Sequence, residues 1–308
     1  MADTAVTAVP TFALDAERLT ALADGVREGY QLARPFPHVV IDGFMPEEVL
    51  ENVLAEFPAP DAIPWDVFTD HGHTRKLATE RQALMGPWTR HVLHELNSGP
   101  MIEFLERLTG IDGLLPDPHM FGGGLHQIEP GGFLDVHADF NYYDRLRLDR
   151  RLNALLYLNR DWPEEFGGHL ELWNRDMSAC EQRVLPVFNR LVVFSTTSFS
   201  FHGHPEPVRC PAPRTRRSLA AYYYSNGRPE AEAMGVHSTL YQQPGVAPDP
   251  VAPRVVAEPP APVATSAPAT PRVRPAWQYR LKPFLPPAAV DLARRVEGLV
   301  AARRRSGT

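Results

Sequence analysis

Between about residues 120 and 228, the chain consists of short apolar runs separated by turn residues. Examples of these runs are GGGLHQI, FLDVHADF, LNALLYLN, RLVVFSTTSFSF and SLAAYYYS. Each run has the length of a β-strand, and clusters of Gly, Pro, Asp or Asn lie between the runs. The intervals are too short for a crossover helix between each pair of strands. The pattern therefore argues against a parallel α/β sheet and predicts an antiparallel barrel or jelly roll.

The first 119 residues have a mainly helical pattern. Apolar residues recur at helical spacing in four segments, around Leu19–Tyr30, Val49–Phe57, Trp88–Leu96 and Met101–Leu108. The run His38–Asp42 is predicted to be a strand. The sequence thus indicates an α+β fold that is mainly β, with a helical N-terminal layer at 1–119 packed on a β core at 120–228.

The last quarter of the chain has a different composition. Many of the 32 prolines lie in a stretch rich in Pro, Ala, Val and Thr, which predicts an extended linker over 244–286. A connector at 229–243 precedes the linker. A short basic tail helix is predicted over 287–308, where apolar residues recur at helical spacing among arginines.

Composition excludes several classes of protein. The net charge of −6 argues against a general nucleic-acid-binding surface. The two cysteines, Cys180 and Cys210, are too few for a disulfide framework or a Cys-rich zinc site. The N-terminus lacks the pattern of a signal peptide, and no apolar run reaches the roughly 18 residues of a membrane span. We expect a soluble cytoplasmic protein with no nucleic-acid partner and no membrane span.

One His-x-Asp motif, His137-Ala138-Asp139, closes a predicted strand. Residues two apart in a strand point to the same face, so this imidazole and this carboxylate can bind one divalent metal ion. The alternative interpretation is a hydrogen-bonded His–Asp pair in a loop.

A third metal ligand is predicted at the end of a later strand, in SFSFHGHPEPV. Two histidines and one carboxylate form the facial triad that leaves open positions on Fe(II). Both His202 and His204 could complete the set, and we favour His202 because it follows the strand directly. His204 precedes Pro205 and is expected to lie in the turn.

Three arginines open the last predicted strand: Arg214, Arg216 and Arg217. A guanidinium group can hold a carboxylate through two parallel hydrogen bonds, as a dicarboxylic cosubstrate would require. Alternation places Arg216 on one face with Ser218 and Tyr222, so that if Arg216 faces inward, Arg217 faces outward. The alternative is a solvated charge cluster.

The order of these motifs resembles that of the 2-oxoglutarate- and iron(II)-dependent dioxygenases, in particular their prolyl 4-hydroxylase-like branch. The resemblance includes LLYLNRDWPEEFGGHLELW and Arg216-x-Ser218-Leu219, and it covers about Met120–Ser225. A weaker similarity lies in PFPHVVIDGFMPEEVLENV. The resemblance implies a double-stranded β-helix, a distorted jelly roll, in agreement with the strand pattern.

The resemblance also implies roles for five residues. By position, His137, Asp139 and His202 would bind Fe(II), Arg216 would bind the C5 carboxylate of 2-oxoglutarate, and Tyr157 would give its hydroxyl to the same carboxylate. The implied reaction uses dioxygen and 2-oxoglutarate, hydroxylates a prime substrate, and releases succinate and CO2. Ascorbate is a further candidate cofactor. The prime substrate could be a prolyl residue, an amino acid or another small molecule.

Two other classes of protein remain open on the sequence. A zinc hydrolase can also use two histidines and one aspartate. A non-catalytic jelly-roll binding module would use the same histidines structurally. Within the dioxygenases, a carboxylate at Asp139 favours hydroxylation over halogenation, whereas desaturation and epimerisation share the whole metal site.

Overall fold

The computed structural model describes residues 12–68 and 73–254. Its four α-helices are α1 (Ala16–Leu32), α2 (Glu47–Glu56), α3 (Pro87–Leu96) and α4 (Gly99–Thr109). The strands of the first 140 residues are β1 (His38–Asp42), β2 (Asp66–Phe68), β3 (His73–Thr79), β4 (Leu115–Pro116) and β5 (Gly124–Ala138). The later strands are β6 (Tyr142–Tyr143), β7 (Leu148–Tyr157), β8 (Leu170–Trp173), β9 (Cys180–Val184), β10 (Arg190–Ser195), β11 (His202–His204), β12 (Arg216–Ser225) and β13 (Leu240–Tyr241).

The strands form a nearly closed antiparallel sheet. Its main path runs β1-β10-β7-β12-β5-β11-β8-β9, and all strand pairs among the described residues are antiparallel. The predicted mainly-β jelly-roll fold is confirmed. Because β5 has 15 residues, its first half pairs with β12 and its second half with β11 and β13. One strand thus connects the two halves of the barrel.

The predicted helical layer packs on one face of the sheet. Leu19, Ala23 and Tyr30 form the buried face of α1, and Asp15 caps its first turn by accepting a hydrogen bond from the Arg18 backbone amide. The buried residues of all four helices belong to one apolar cluster with residues of β7, β10 and β12. The layer therefore closes the outer face of the strands that carry the candidate site.

The first 119 residues also contribute strands to the sheet. Strand β1 was predicted and pairs with β10. The hairpin β2–β3 was not predicted, and it extends the sheet beyond β5. Its outer strand, β2, is exposed along its whole length, so it lacks the apolar alternation by which strands are recognised.

The C-terminal boundaries remain predictions. Residues 255–308, which include most of the predicted linker at 244–286 and the whole predicted tail helix at 287–308, lie outside the described residues. The connector predicted at 229–243 contains β13, which pairs with the end of β5. None of the described helices has the length and apolar character needed to cross a membrane.

Candidate active site

His137, Asp139 and His202 converge where β5 and β11 meet. His137 and His202 are directly opposite each other on these antiparallel strands, and Asp139 follows the end of β5. One Asp139 carboxylate oxygen lies 3.5 Å from His137 Nε2, and the other lies 3.5 Å from His202 Nε2. Within the described part of the chain, this is the one group of three His, Cys, Asp or Glu residues whose ligand atoms lie within 4.8 Å of one another.

Backbone hydrogen bonds set the orientation of both imidazole rings. His137 Nδ1 lies 2.8 Å from the Asp135 carbonyl oxygen, and His202 Nδ1 lies 2.9 Å from the Ser200 carbonyl oxygen. A carbonyl oxygen only accepts, so each Nδ1 carries a hydrogen, which leaves Nε2 as the ring atom that can bind a metal ion. Burial, reinforced by the nearby His137, lowers the pKa of His202 to about 4, so its ring is neutral at pH 7. The His202 ring is therefore in the protonation state that binds a metal ion.

Asp139 is held by two side chains of β7. Asn153 Nδ2 donates to Asp139 Oδ2 over 2.7 Å, and Arg150 Nη2 lies 3.0 Å from the same oxygen. Arg150 also donates to Asn153 Oδ1, which links the three groups. Burial alone would raise the pKa of Asp139, but Arg150 and the adjacent imidazoles outweigh it and hold the pKa well below its usual range. The carboxylate is thus ionised and fixed in direction.

His204 does not join this group. The prediction that His204 lies in the turn was wrong: it is the last residue of β11, is buried and lines the same cavity. It lies opposite Leu134 of β5, and a register shift separates this pairing from that of His202 with His137. Between the two histidines, a Cβ atom on Gly203 would lie 2.8 Å from the Asp135 carbonyl oxygen. The absence of a side chain at Gly203 lets β11 approach β5 closely enough to bring His202 to the other two residues.

Arg216 enters the same cavity from β12 and is fixed by neighbouring groups. Its Nε donates to the Gly168 carbonyl oxygen over 2.6 Å, and its Nη2 donates to the Tyr157 hydroxyl over 3.2 Å. The guanidinium lies over the Tyr157 ring, 4.9 Å from its centroid. Burial raises the pKa of Tyr157, with Arg216 opposing, so the phenol is neutral and can donate its hydrogen to an anion.

The two competing arginines point elsewhere. Arg214 donates to the backbone oxygens of Arg160 and Asp161. Arg217 donates to Thr215 and lies over the Phe57 ring. Of the three arginines that open β12, only Arg216 lines the cavity that contains the His–Asp–His group.

The cavity measures about 80 Å³, and His126, Lys76 and Tyr222 lie along its wall with the residues above. Burial, with the positive charge of Lys76, lowers the pKa of His126 to about 3, so His126 is neutral. Burial also lowers the pKa of Lys76 to about 8, opposed by Asp139 and reinforced by Arg150. Among the lysine, arginine and carboxylate side chains that line the cavity, there are thus two cations, Lys76 and Arg216, and one anion, Asp139.

Several residues beside the site were not predicted. Asn153 could have been found, since strand alternation places it on the same face as Tyr157, four positions later. Arg150 could not, because an irregularity in the pairing of β7 with β12 interrupts the alternation. Tyr241 lies in the predicted connector yet pairs with His137, and their ring centroids are 5.7 Å apart.

The geometry defines a class of protein. Two imidazoles and one carboxylate on one side of a cavity match the donor set of non-haem Fe(II) oxygenases, and their chemistry fits that ion. The buried guanidinium of Arg216 beside the Tyr157 hydroxyl fits the far carboxylate of a dicarboxylic cosubstrate. A jelly roll with this donor set is the arrangement predicted for an iron- and 2-oxoglutarate-dependent oxygenase.

The family comparison agrees with this class. Residues 123–224 match the model of the 2OG-Fe(II) oxygenase superfamily, a segment that contains all five predicted site residues. The segment 123–224 is therefore similar to a 2OG-Fe(II) oxygenase domain. The predicted dioxygenase class and its use of Fe(II) and 2-oxoglutarate are confirmed. No curated protein sequence gives a significant match to the chain.

Solved structures similar to this chain include two prolyl hydroxylases. The prolyl-4-hydroxylase of Pseudomonas putida is 22% identical, with 68% of this chain and 100% of that chain covered at a TM-score of 0.44. The prolyl hydroxylase of Trichoplax adhaerens is 16% identical, with 68% and 91% covered at a TM-score of 0.45. HygX of Streptomyces hygroscopicus, solved with nickel and 2-oxoglutarate, is 13% identical, with 67% and 92% covered at a TM-score of 0.43.

Proposed function

We propose that the protein hydroxylates a small molecule, an amino acid or a prolyl residue, with Fe(II) bound by His137, Asp139 and His202. Arg216 and Tyr157 bind the C5 carboxylate of 2-oxoglutarate. The observation that carries the proposal is that the His–Asp–His group and Arg216 line the same cavity. Succinate and CO2 are the expected coproducts.

The protein's part in the reaction is to position and shield the reactants. Bound Fe(II) and 2-oxoglutarate supply the oxidising chemistry, in which 2-oxoglutarate is decarboxylated as dioxygen is consumed. His202 is neutral, so its ring need not lose a proton before Nε2 binds the metal, and His137 turns its Nε2 toward the same carboxylate. Asp139 Oδ2 is occupied by Arg150 and Asn153, which leaves Oδ1 as the ligand atom.

The second carboxylate of 2-oxoglutarate is bound deeper in the barrel. Arg216 is 6% exposed and Tyr157 is fully buried, so both groups act in a medium of low dielectric constant. A guanidinium held by Gly168 and Tyr157 needs little reorganisation when the carboxylate binds. This pre-organisation fixes the cosubstrate's position relative to the metal ligands.

Hydroxylation is the outcome we favour because Asp139 keeps the third protein ligand position filled. A halogenase leaves that position to a halide. Desaturation and epimerisation would use the same residues. The mass of the product identifies hydroxylation and desaturation, and chiral chromatography identifies epimerisation, which leaves the mass unchanged.

The test is 2-oxoglutarate turnover, measured as succinate release with Fe(II) and dioxygen. We expect the wild-type chain to release succinate and Asp139→Ala to release none above background. Asp112→Ala, a change at an exposed aspartate outside the site, serves as the matched control and is expected to match the wild type. Wild-type turnover by Asp139→Ala would contradict the ligand assignment. Product formation with Zn(II) as the sole metal and without succinate release would instead indicate a hydrolase.

A further inference from the structure

Lysine is rare in this chain, and one lysine lies in the candidate site. Of the 31 lysines and arginines, only Lys76 and Lys282 are lysines. Lys282 lies outside the described residues, whereas Lys76 lines the cavity with Asp139 and Arg216. In a chain that otherwise carries positive charge on arginine, a lysine at this position calls for a physical reason.

The sheet register places Lys76 and Arg216 on either side of one residue. Ile128 of β5 pairs with Lys76 on β3 and with Arg216 on β12, so the three lie in one row across the sheet. All three also line the cavity. Two strand spacings separate the backbones of Lys76 and Arg216 by roughly 10 Å. The row therefore offers two cationic positions divided by an apolar side chain.

The two positions differ in depth. Arg216 is buried beneath Gly168 and Tyr157. Lys76 is half-buried, and its Nζ lies 5.2 Å from the ring centroid of Phe68 on the exposed outer strand β2. Lys76 thus lies nearer to solvent than Arg216, the predicted partner of the cosubstrate carboxylate.

Of the two cations that line the cavity, Lys76 is the one to which no anion has yet been assigned. Asp139 is engaged by Arg150, and Arg216 is assigned to 2-oxoglutarate. Among the described residues, Lys76 forms no ion pair or side-chain hydrogen bond; its close neighbour is the Phe68 ring. Partial desolvation of an ammonium group that lacks an anion is unfavourable, and the lowered pKa of Lys76 reflects that cost.

We propose that Lys76 binds a carboxylate of the prime substrate, so that the substrate is an organic acid and Lys76 is a specificity-determining residue. The inference rests on the proposed function of the site. A compact ammonium on a flexible stem suits this position, because a planar guanidinium would need more of a cavity of about 80 Å³. Phe68 would cover the apolar part of the substrate near its carboxylate.

A binding experiment can observe Lys76 directly, because a chain labelled with ¹³C at lysine Cε gives two signals. The full chain is loaded with Zn(II) and 2-oxoglutarate, and Lys76→Met assigns the signals. Acetate and benzoate should shift the Lys76 signal saturably and raise the pKa of Lys76, whereas acetamide and benzamide should leave both unchanged. An equal response to acids and amides overturns the proposal. A response to inorganic phosphate but not to either carboxylate overturns the carboxylate class.

A turnover experiment tests the same point with candidate substrates offered in pairs, each as the free acid and as its carboxamide. We expect only acids to stimulate succinate release. For these, Lys76→Met should lower kcat/KM at least about 30-fold, mainly through KM, and Lys76→Arg should recover part of the loss. Amides that work as well as acids overturn the proposal.

The cosubstrate provides the control that separates this inference from the proposed function. Anaerobic addition of Fe(II) and 2-oxoglutarate should give a charge-transfer absorption band in both the wild type and Lys76→Met, with similar 2-oxoglutarate Kd values. A Kd raised tenfold or more in Lys76→Met would make Lys76 part of the cosubstrate site and overturn the inference alone. A wild type without the band would instead refute the proposed function.

Discussion

Arg150 determines the charge state of the candidate metal site although it is not one of the ligands. It is fully buried, lies between the rings of Phe140 and Tyr222, and places its guanidinium against Asp139. Its centre lies only 3.7 Å from the Tyr222 ring centroid, so the stack holds the cation in one position. The aromatic rings that pack against Arg150 therefore also fix the charge of Asp139, although neither ring is a metal ligand.

The change Arg150→Met tests this dependence. Removing one partner of a buried ion pair leaves Asp139 uncompensated, and we expect the free energy of unfolding of the metal-free protein to fall by about 3–5 kcal/mol. Urea denaturation measures the change. Arg90→Met, at an exposed position of α3, is the control and is expected to alter stability by less than about 0.5 kcal/mol. Similar losses in the two variants would contradict the role of Arg150.

The neighbouring residues Arg216 and Arg217 provide a matched pair for the cosubstrate. Arg216→Lys keeps the charge but loses the second hydrogen bond to the carboxylate, so we expect the 2-oxoglutarate Kd to rise about 10- to 100-fold. Arg217 faces the Phe57 ring, and Arg217→Lys should leave the Kd unchanged. Anaerobic titration followed by the charge-transfer band measures both. A larger effect at Arg217 would reverse the assignment.

At the scale of elements, the site depends on two close approaches and one strand irregularity. Gly168, just before β8, has φ +68°, and a Cβ atom there would lie 2.8 Å from Arg216 Cδ. Gly203 permits the contact of β11 with β5. In β7, the pairing with β12 shifts between Tyr223 and Tyr224, so that Leu152 and Arg150 become successive partners. This shift turns Arg150 to the side of Asn153, out of simple alternation.

Gly168→Ala is expected to weaken 2-oxoglutarate binding indirectly, through the position of Arg216. The new methyl group would displace the Arg216 side chain, and we expect the Kd to rise at least about 10-fold. Gly113→Ala is the control, because Gly113 has φ +70° but nothing within 4 Å of its Cβ position. Both variants carry backbone strain of about 1 kcal/mol, which thermal unfolding measures. Equal Kd values would show that Arg216 is not displaced.

The regular strands explain why the sequence allows four of the site residues to be placed together. His137, Asp139, His202 and Arg216 occupy strand ends or regular alternation, so spacing places them in one cavity. The choice of His202 over His204 agrees with the register, since His202 pairs with His137. The metal-binding role of these residues stays a prediction.

Lys76 and Arg150 could not be predicted because neither lies in a regular pattern. Lys76 belongs to a hairpin whose outer strand is exposed, and Arg150 lies at the irregularity in β7. Pairing between strands far apart in the chain determines both positions. Such pairing leaves no local signal in the sequence.

For the whole molecule, buried neutral histidines make stability depend on pH. His202 has a pKa of about 4 in the folded chain, against 6.5 ordinarily, so the unfolded chain binds more protons between these values. We expect the metal-free protein to lose about 2–3 kcal/mol of unfolding free energy as pH falls from about 6.5 to 4. Urea denaturation at several pH values measures the loss. His202→Phe should flatten the dependence, and an unchanged slope would contradict the cause assigned here.

The most direct test of the metal centre is an anaerobic Fe(II) titration with 2-oxoglutarate, followed by the charge-transfer absorption band. We expect the wild type to saturate at about one Fe(II) per chain, as a single triad of two histidines and one carboxylate requires. The band should be absent from His202→Ala and present in His204→Ala, because only His202 faces Asp139. A band that survives in His202→Ala but disappears in His204→Ala would contradict the site described here.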